Sequence, residues 1–109
     1  MTQKAAKLSN MVSSFGTNTL HCPACDGFYL HQGRTEIFNR DEDADEGTHV
    51  VVDGDNVQMN RDLAGNPSGR RHGLAIHFRC ENCTANVQMH IYQHKGNTLV
   101  GMEYQEGEA

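Results

Sequence analysis

Four cysteines stand in two pairs of identical spacing, Cys22-Pro23-Ala24-Cys25 and Cys80-Glu81-Asn82-Cys83, with residues 26–79 between them. Two residues between cysteines is the spacing at which one tight turn presents both sulfurs to a common point, its backbone amides facing the thiolates. Two such turns supply four ligands, which closes a tetrahedral site and leaves no coordination position for water. The chemistry this predicts is structural: one Zn²⁺ held by Cys22, Cys25, Cys80 and Cys83, contributing to folding rather than to turnover.

Two other uses of the same residues stand beside it. Cys-Pro-x-Cys also suits a rubredoxin-like iron knuckle, although such sites have a richer aromatic shell than a chain with 6% Phe, Trp and Tyr provides. Redox dithiols or disulfides are the other, but a reactive C-x-x-C needs a βαβ setting and a helix N-terminus to depress its thiol pKa. Neither pair has that setting, so zinc is the preferred reading.

Three further groups could do chemistry. The seven histidines include His90 and His94 at the i, i+4 spacing of a zinc-binding helix, but on a strand residues four apart are separated by about 13 Å and cannot share an ion. His21, His31, His49, His72 and His77 read as polar-face residues, and His21, next to Cys22, is also placed to hydrogen-bond a cysteine sulfur. Asp41, Glu42, Asp43, Asp45 and Glu46 put five acids into six positions. Their alternation resembles the start of a calcium loop, yet Gly47 comes one residue late and the twelfth position is Val52, not a bidentate glutamate. They read as a solvated loop or one that docks on a basic surface. Arg70-Arg71-His72 is the one basic cluster, suited to phosphate or carboxylate. It either meets an external anion or satisfies the acidic loop across a sheet, and docking or plain solvation of the loop is preferred over that internal pairing.

What must position these groups is a sheet. From Thr17 onward short β-type runs alternate with turn residues, giving strands near Thr19–Cys22, Phe28–His31, Thr35–Asn39, Thr48–Val52, Val57–Met59, His72–Arg79, Ala85–His94 and Thr98–Tyr104. Asp53-Gly54 and Lys95-Gly96-Asn97 are hairpin turns, and residues 64–69, rich in Gly and Pro, form a loop. Leu74, Ile76 and Phe78, and then Val87, Met89 and Ile91, alternate with polar residues, so each strand has one face for a core and one for water or a partner. Residues 1–16 carry a weak helical pattern in Ala5, Leu8, Met11 and Val12, ended by Gly16. They read as a short helix or a disordered tail. The predicted organisation is one all-β, mainly antiparallel domain over residues 17–105, with residues 106–109 as a tail.

Cys-Pro-x-Cys followed by Asp26-Gly27, a second C-x-x-C at the end of a strand and a terminal hairpin resemble the zinc ribbon class. The likeness covers Thr19 to Phe28 and Leu74 to Tyr104. It implies a ribbon sheet around one structural zinc, here with an inserted β-hairpin, since simple ribbons have only about fifteen to twenty residues between their pairs. More loosely, Asn66-Pro67-Ser68, Arg70 to Leu74, Cys80-Glu81-Asn82-Cys83 and Gln93 to Thr98 resemble uncharacterised bacterial proteins of phage and mobile-element type, a likeness that implies no activity.

Composition bounds the function. With 37% hydrophobic residues and no tryptophan in 109 positions, the apolar area available for burial is modest and a cross-link is expected. No run is long and apolar enough for a signal peptide or a membrane span, which points to the cytoplasm, where disulfides are rare. The formal charge of −5, about −7 once four thiolates hold one divalent ion, weighs against a general DNA binder. No catalytic motif is legible. The expectation is a non-enzymatic zinc module that contacts another protein. The alternatives are a nucleic-acid-binding ribbon, using Arg70, Arg71, Lys95, His77 and His90 on phosphates with Tyr92 or Phe28 stacked on a base, or an acidic mobile-element protein that covers a host enzyme's nucleic-acid groove.

Overall fold

A computed structural model describes residues 2–10 and 16–106. Among them the protein is all-β and contains no helix. The strands are β1 (Thr2–Lys4), β2 (Leu8–Ser9), β3 (Thr19–Leu20), β4 (Leu30–Asn39), β5 (Thr48–Asp53), β6 (Asn56–Asn60), β7 (Gly73–Cys80), β8 (Asn86–His94) and β9 (Asn97–Gln105). Seven form one sheet in the order β1-β9-β8-β7-β4-β5-β6, and β2 pairs with β3. Every pairing is antiparallel.

Both anticipated hairpins form. Asp53 pairs with Asn56 and His94 with Asn97, leaving two-residue loops. Lys95 and Gly96 both have positive φ, 51° and 82°, as a type I′ turn requires. The two short runs at Phe28–His31 and Thr35–Asn39 are instead one strand, β4, interrupted by a bulge. Gly33 and Arg34 together face the single His77, because Gln32 pairs with Phe78 and Thr35 with Ile76. The extra residue broke the alternation that the sequence reading relied on.

The N-terminal segment is neither helix nor tail where it is described. Thr2–Lys4 extends the sheet along β9, with Thr2 opposite Tyr104, and Leu8–Ser9 pairs with Thr19–Leu20. Edge pairing supplies the backbone partners that a three-turn helix would otherwise need, and it leaves no side-chain periodicity to read. Met11 and Val12, half of the helical pattern, lie outside the described residues.

The two faces of the sheet are covered at opposite ends. On the apolar face, Cys22, Cys80, Ala85, Val87 and Met102 form the buried cluster, with Ala6, Leu20 and Ala24 packed on it from the N-terminal segment. On the polar face, the burial is at Phe38, His49 and Ala75. There the loop 61–72 folds back: a side chain at Gly73 would collide with Asn66 and come within 2.8 Å of Pro67, and Gly65 lies against the Phe38 ring. His49 stacks on Phe38 with centroids 4.4 Å apart and planes 4° from parallel. Alternation marks the two faces in the sequence, but it cannot say which stretch of each face a distant loop will cover.

Candidate metal centre

The two cysteine turns meet at one end of the sheet. Cys22 follows β3, and its turn is closed by the Asp26 amide donating to the Cys22 carbonyl at 2.9 Å and the Cys22 amide donating to the Gly27 carbonyl at 2.7 Å. Asp26 adopts a φ of 65° to complete the reversal. Cys80 is the last residue of β7, and the Glu81 amide donates to the Tyr29 carbonyl at 3.1 Å, which ties the second turn to the segment leaving the first. The turns approach so closely that a side chain at Gly27 would overlap Asn82 and press on the Cys25 sulfur at 3.3 Å. A larger residue at position 27 would therefore have to displace the Asn82 side chain and crowd the Cys25 sulfur.

All four sulfurs lie within 4.8 Å of one another. Cys22 Sγ is 3.8 Å from Cys83 Sγ and Cys25 Sγ is 3.6 Å from Cys80 Sγ. Four thiolates placed tetrahedrally at about 2.3 Å from one ion stand about 3.8 Å apart, and these two separations match that spacing. The first sulfur of each turn accepts backbone amides, those of Ala24 and Cys25 at Cys22 and those of Asn82 and Cys83 at Cys80. Burial pushes the Cys22 thiol up to about 12 despite these amides. At Cys80 burial acts in the same direction, but the amides and the Cys25 sulfur outweigh it and hold the thiol below its ordinary value. A bound dication would favour the thiolate at all four positions. Among the described residues, these cysteines are the one cluster of three or more His, Cys, Asp or Glu side chains that could hold a metal.

His21, anticipated as a donor to sulfur, faces the other way. Its Nε2 is 2.5 Å from Ser9 Oγ and its Nδ1 is 3.0 Å from the Asp26 carbonyl. It is 5% exposed and clamps β2 to the first cysteine turn, with Lys7 paired to Asp26 at 2.9 Å outside it.

The acidic loop and the arginines do meet. Arg70 makes a two-pronged contact with Asp43, Nε to Oδ1 at 3.1 Å and an Nη to Oδ2 at 2.9 Å, and reaches Glu42 at 3.5 Å. The Asp43 amide donates to the Arg70 carbonyl at 2.8 Å. That hydrogen bond from Arg70 holds the Asp43 carboxyl below its usual range. The preference for docking or solvation over internal pairing thus fails for Asp43 and Glu42. Asp41, Asp45 and Glu46 remain exposed, with no ion pair among the described residues. Arg71 is half-buried, and its Nε has no hydrogen-bond partner.

The histidines expected to line a nucleic-acid face are engaged with acids. Glu36 Oε1 lies 3.0 Å from His49 Nε2, and Glu36 Oε2 lies 2.8 Å from His77 Nε2, with Arg34 at 3.0 Å. Burial raises the Glu36 carboxyl, but the bonds from His77 and His49 and the charge of Arg34 outweigh it and hold the group low. This three-strand arrangement of β4, β5 and β7 was not legible, because no spacing in the sequence says that residues 36, 49 and 77 will be neighbours. Further along the same face, Gln3, Asn66, Gln88, His90, Tyr92 and Glu103 line an open pocket of about 640 Å³. His90 and His94, both on β8, do not converge on a common ion. Among known proteins, no family model matches this chain, and neither a curated protein nor a solved structure matches it.

Proposed function

We propose that the protein is a structural-zinc module of zinc ribbon type, a non-catalytic intracellular accessory protein that acts by contacting another protein. The observation that carries the metal assignment is the four-sulfur cluster itself, with two of its members, Cys22 and Cys80, inside the buried cluster that holds the N-terminal segment on the sheet. Removing the ion would leave four thiols in the place where a domain of this length should have apolar side chains. Zinc is favoured over iron by the closed all-thiolate set and by the sparse aromatic surroundings. The inserted segment, β4 to β6, departs from a simple ribbon by adding three strands to the sheet. Protein contact is favoured over nucleic acid because Arg70, His77 and His90 already face carboxylates, while Asp41, Asp45 and Glu46 stay free to meet a basic partner.

Elemental analysis of the purified chain should find about one zinc per chain and no visible iron–thiolate absorption. Cys25→Ser and Cys83→Ser should each give a largely unfolded or aggregating protein, because the apparent zinc binding energy of about 10–16 kcal/mol matches or exceeds the whole stability of a typical domain, about 5–15 kcal/mol. A well-folded variant with an unchanged melting temperature refutes the assignment.

A further inference from the structure

The seven-stranded sheet has two edges, and they are finished differently. β1 is three residues long and closes on Lys4, the kind of short, charged edge that discourages strand addition. β6 has no such guard. Its five residues include no proline and no charged side chain, all are exposed, and its register with β5 runs without a bulge from Asp53 opposite Asn56 to His49 opposite Asn60. Among the described residues it pairs with β5 alone. In a two-residue hairpin the pair that closes the loop exchanges both hydrogen bonds, and bonded and non-bonded pairs alternate from there. Asp53 and Asn56 are that pair, so Asn56, Gln58 and Asn60 direct their amides and carbonyls to β5, while those of Val57 and Met59 point outward. The side chains of these two residues are 64% and 75% exposed.

What fits this edge is written in the residues along it. Asp55-Asn56-Val57-Gln58-Met59-Asn60-Arg61 is symmetric in its chemistry about Gln58: an apolar residue stands on either side, an amide beyond each, and the acid at one end answers the base at the other. Such symmetry matches an antiparallel contact of the segment with itself, because a twofold axis sets residue 58 opposite residue 58 and pairs positions equally far on either side of it. Val57 then faces Met59 of the second copy, each with its outward backbone groups, and the two such pairs form four hydrogen bonds. Asn56 faces Asn60, and Asp55 stands opposite Arg61 at both ends of the join. Arg61 has no carboxylate partner among the described residues and reaches only the Gly47 carbonyl and Thr48 Oγ, at 3.3 Å and 3.4 Å. Asp62, which follows it, turns back to accept the Ala64 amide at 3.0 Å. Other alignments lose the match. A slip of one residue sets outward groups against groups already bonded to β5. A slip of two puts Asp55 opposite Met59 in one direction and Val57 opposite Arg61 in the other.

We infer that the chain forms a twofold dimer by pairing β6 with β6 of a second copy, Gln58 opposite Gln58, so that two seven-stranded sheets run on as one. The cysteine turns stay clear of the join, since β4 and β5 stand between β7 and β6. Neither the metal nor the partner of the acidic loop enters into this contact.

Sedimentation equilibrium of the purified full chain at tens of micromolar should give twice the chain mass of 12.1 kDa. Met59→Pro removes an amide that faces away from β5, at a sheet edge where proline is tolerated, and should give a monomer with native circular dichroism. Arg61→Asp sets acid beside acid at both ends of the join and should weaken the dimer about tenfold or more. Adding Asp55→Arg to Arg61→Asp exchanges the two charges, returns opposite signs to each end and should restore the affinity. A wild-type monomer at these concentrations overturns the inference. So do assemblies that grow beyond two copies, a folded Met59→Pro dimer, an Arg61→Asp dimer of undiminished affinity, or a double variant as weak as the single one. Should Met59→Pro fail to fold, the charge exchange decides by itself.

Discussion

Ser68 is 2% exposed and sits where two loops meet the sheet. Its hydroxyl donates to the Gln93 carbonyl at the end of β8 at 2.7 Å and accepts the amides of Arg70 at 3.2 Å and Arg71 at 2.9 Å. Through Arg70 the same node fixes the acidic loop, by the Asp43 amide and carboxylate. Replacing Ser68 by Ala removes one donor and one acceptor and leaves a carbonyl and two amides without this partner. With a net value of about 0.5–1.5 kcal/mol for each bond, the three together come to about 1.5–4.5 kcal/mol. For a domain of this size each kcal/mol moves the melting temperature by about 4–8 °C, so Ser68→Ala should melt about 6 °C lower or more. In urea its midpoint should fall with the slope unchanged, since the exposed surface on unfolding is the same. Thr98→Ala is the comparison. Its hydroxyl accepts one bond, from the exposed Gln93 side chain at 2.7 Å, and its loss should stay within about 0.5 kcal/mol. If the two variants lose the same small amount, the loop is not held through Ser68 and the reasoning fails.

Two further outcomes follow from the charged groups. The lowered Glu36 carboxyl contributes stability that is present above its ordinary value of 4.5 and disappears as pH falls through its folded value. Denaturation midpoints of the native chain and of Glu36→Gln should therefore differ at pH 7 and draw together as the solution is made acid, and a gap that does not narrow on acidification would contradict this. Neutralising Asp43 to Asn should lower the melting temperature at low salt and less so at physiological salt, where screening reaches about 8 Å, whereas Asp45→Asn should hold or raise it. A salt-independent loss at Asp43 would mean that packing, not charge, connects the loop to Arg70.

The convergence of the four cysteines and most strands were legible because their signals are local. Two cysteines per turn and the alternation in Leu74-Ala75-Ile76 need no knowledge of the rest of the chain. What escaped is set by residues far apart in sequence. Thr2–Lys4 has no pattern of its own and is a strand only because β9 offers an edge. Gly33 and Arg34 interrupt an alternation that resumes after the bulge, so one strand looked like two. Glu36 meets His49 and His77 through two separate pairings, and Arg70 meets Asp43 across two loops, a choice that composition left open between partner, solvent and self. The burial of Phe38 on the polar face depends on where residues 64–67 fold.

The place of Cys80 at the end of β7 bears on how the sheet finds its alignment. Cys80 pairs with Leu30 in β4, and Arg79, next to it, pairs with Asn86 in β8. A slip of β7 by one residue would turn Cys80 to the polar face and carry its sulfur away from Cys22 and Cys25. A bound ion would thus favour the native strand alignment, since an out-of-step sheet would offer it three sulfurs or fewer while the native alignment offers four. Because the outer strands β5 and β6 hang on β4, which hangs on β7, one correct choice at the metal end propagates across the sheet to the edge farthest from it.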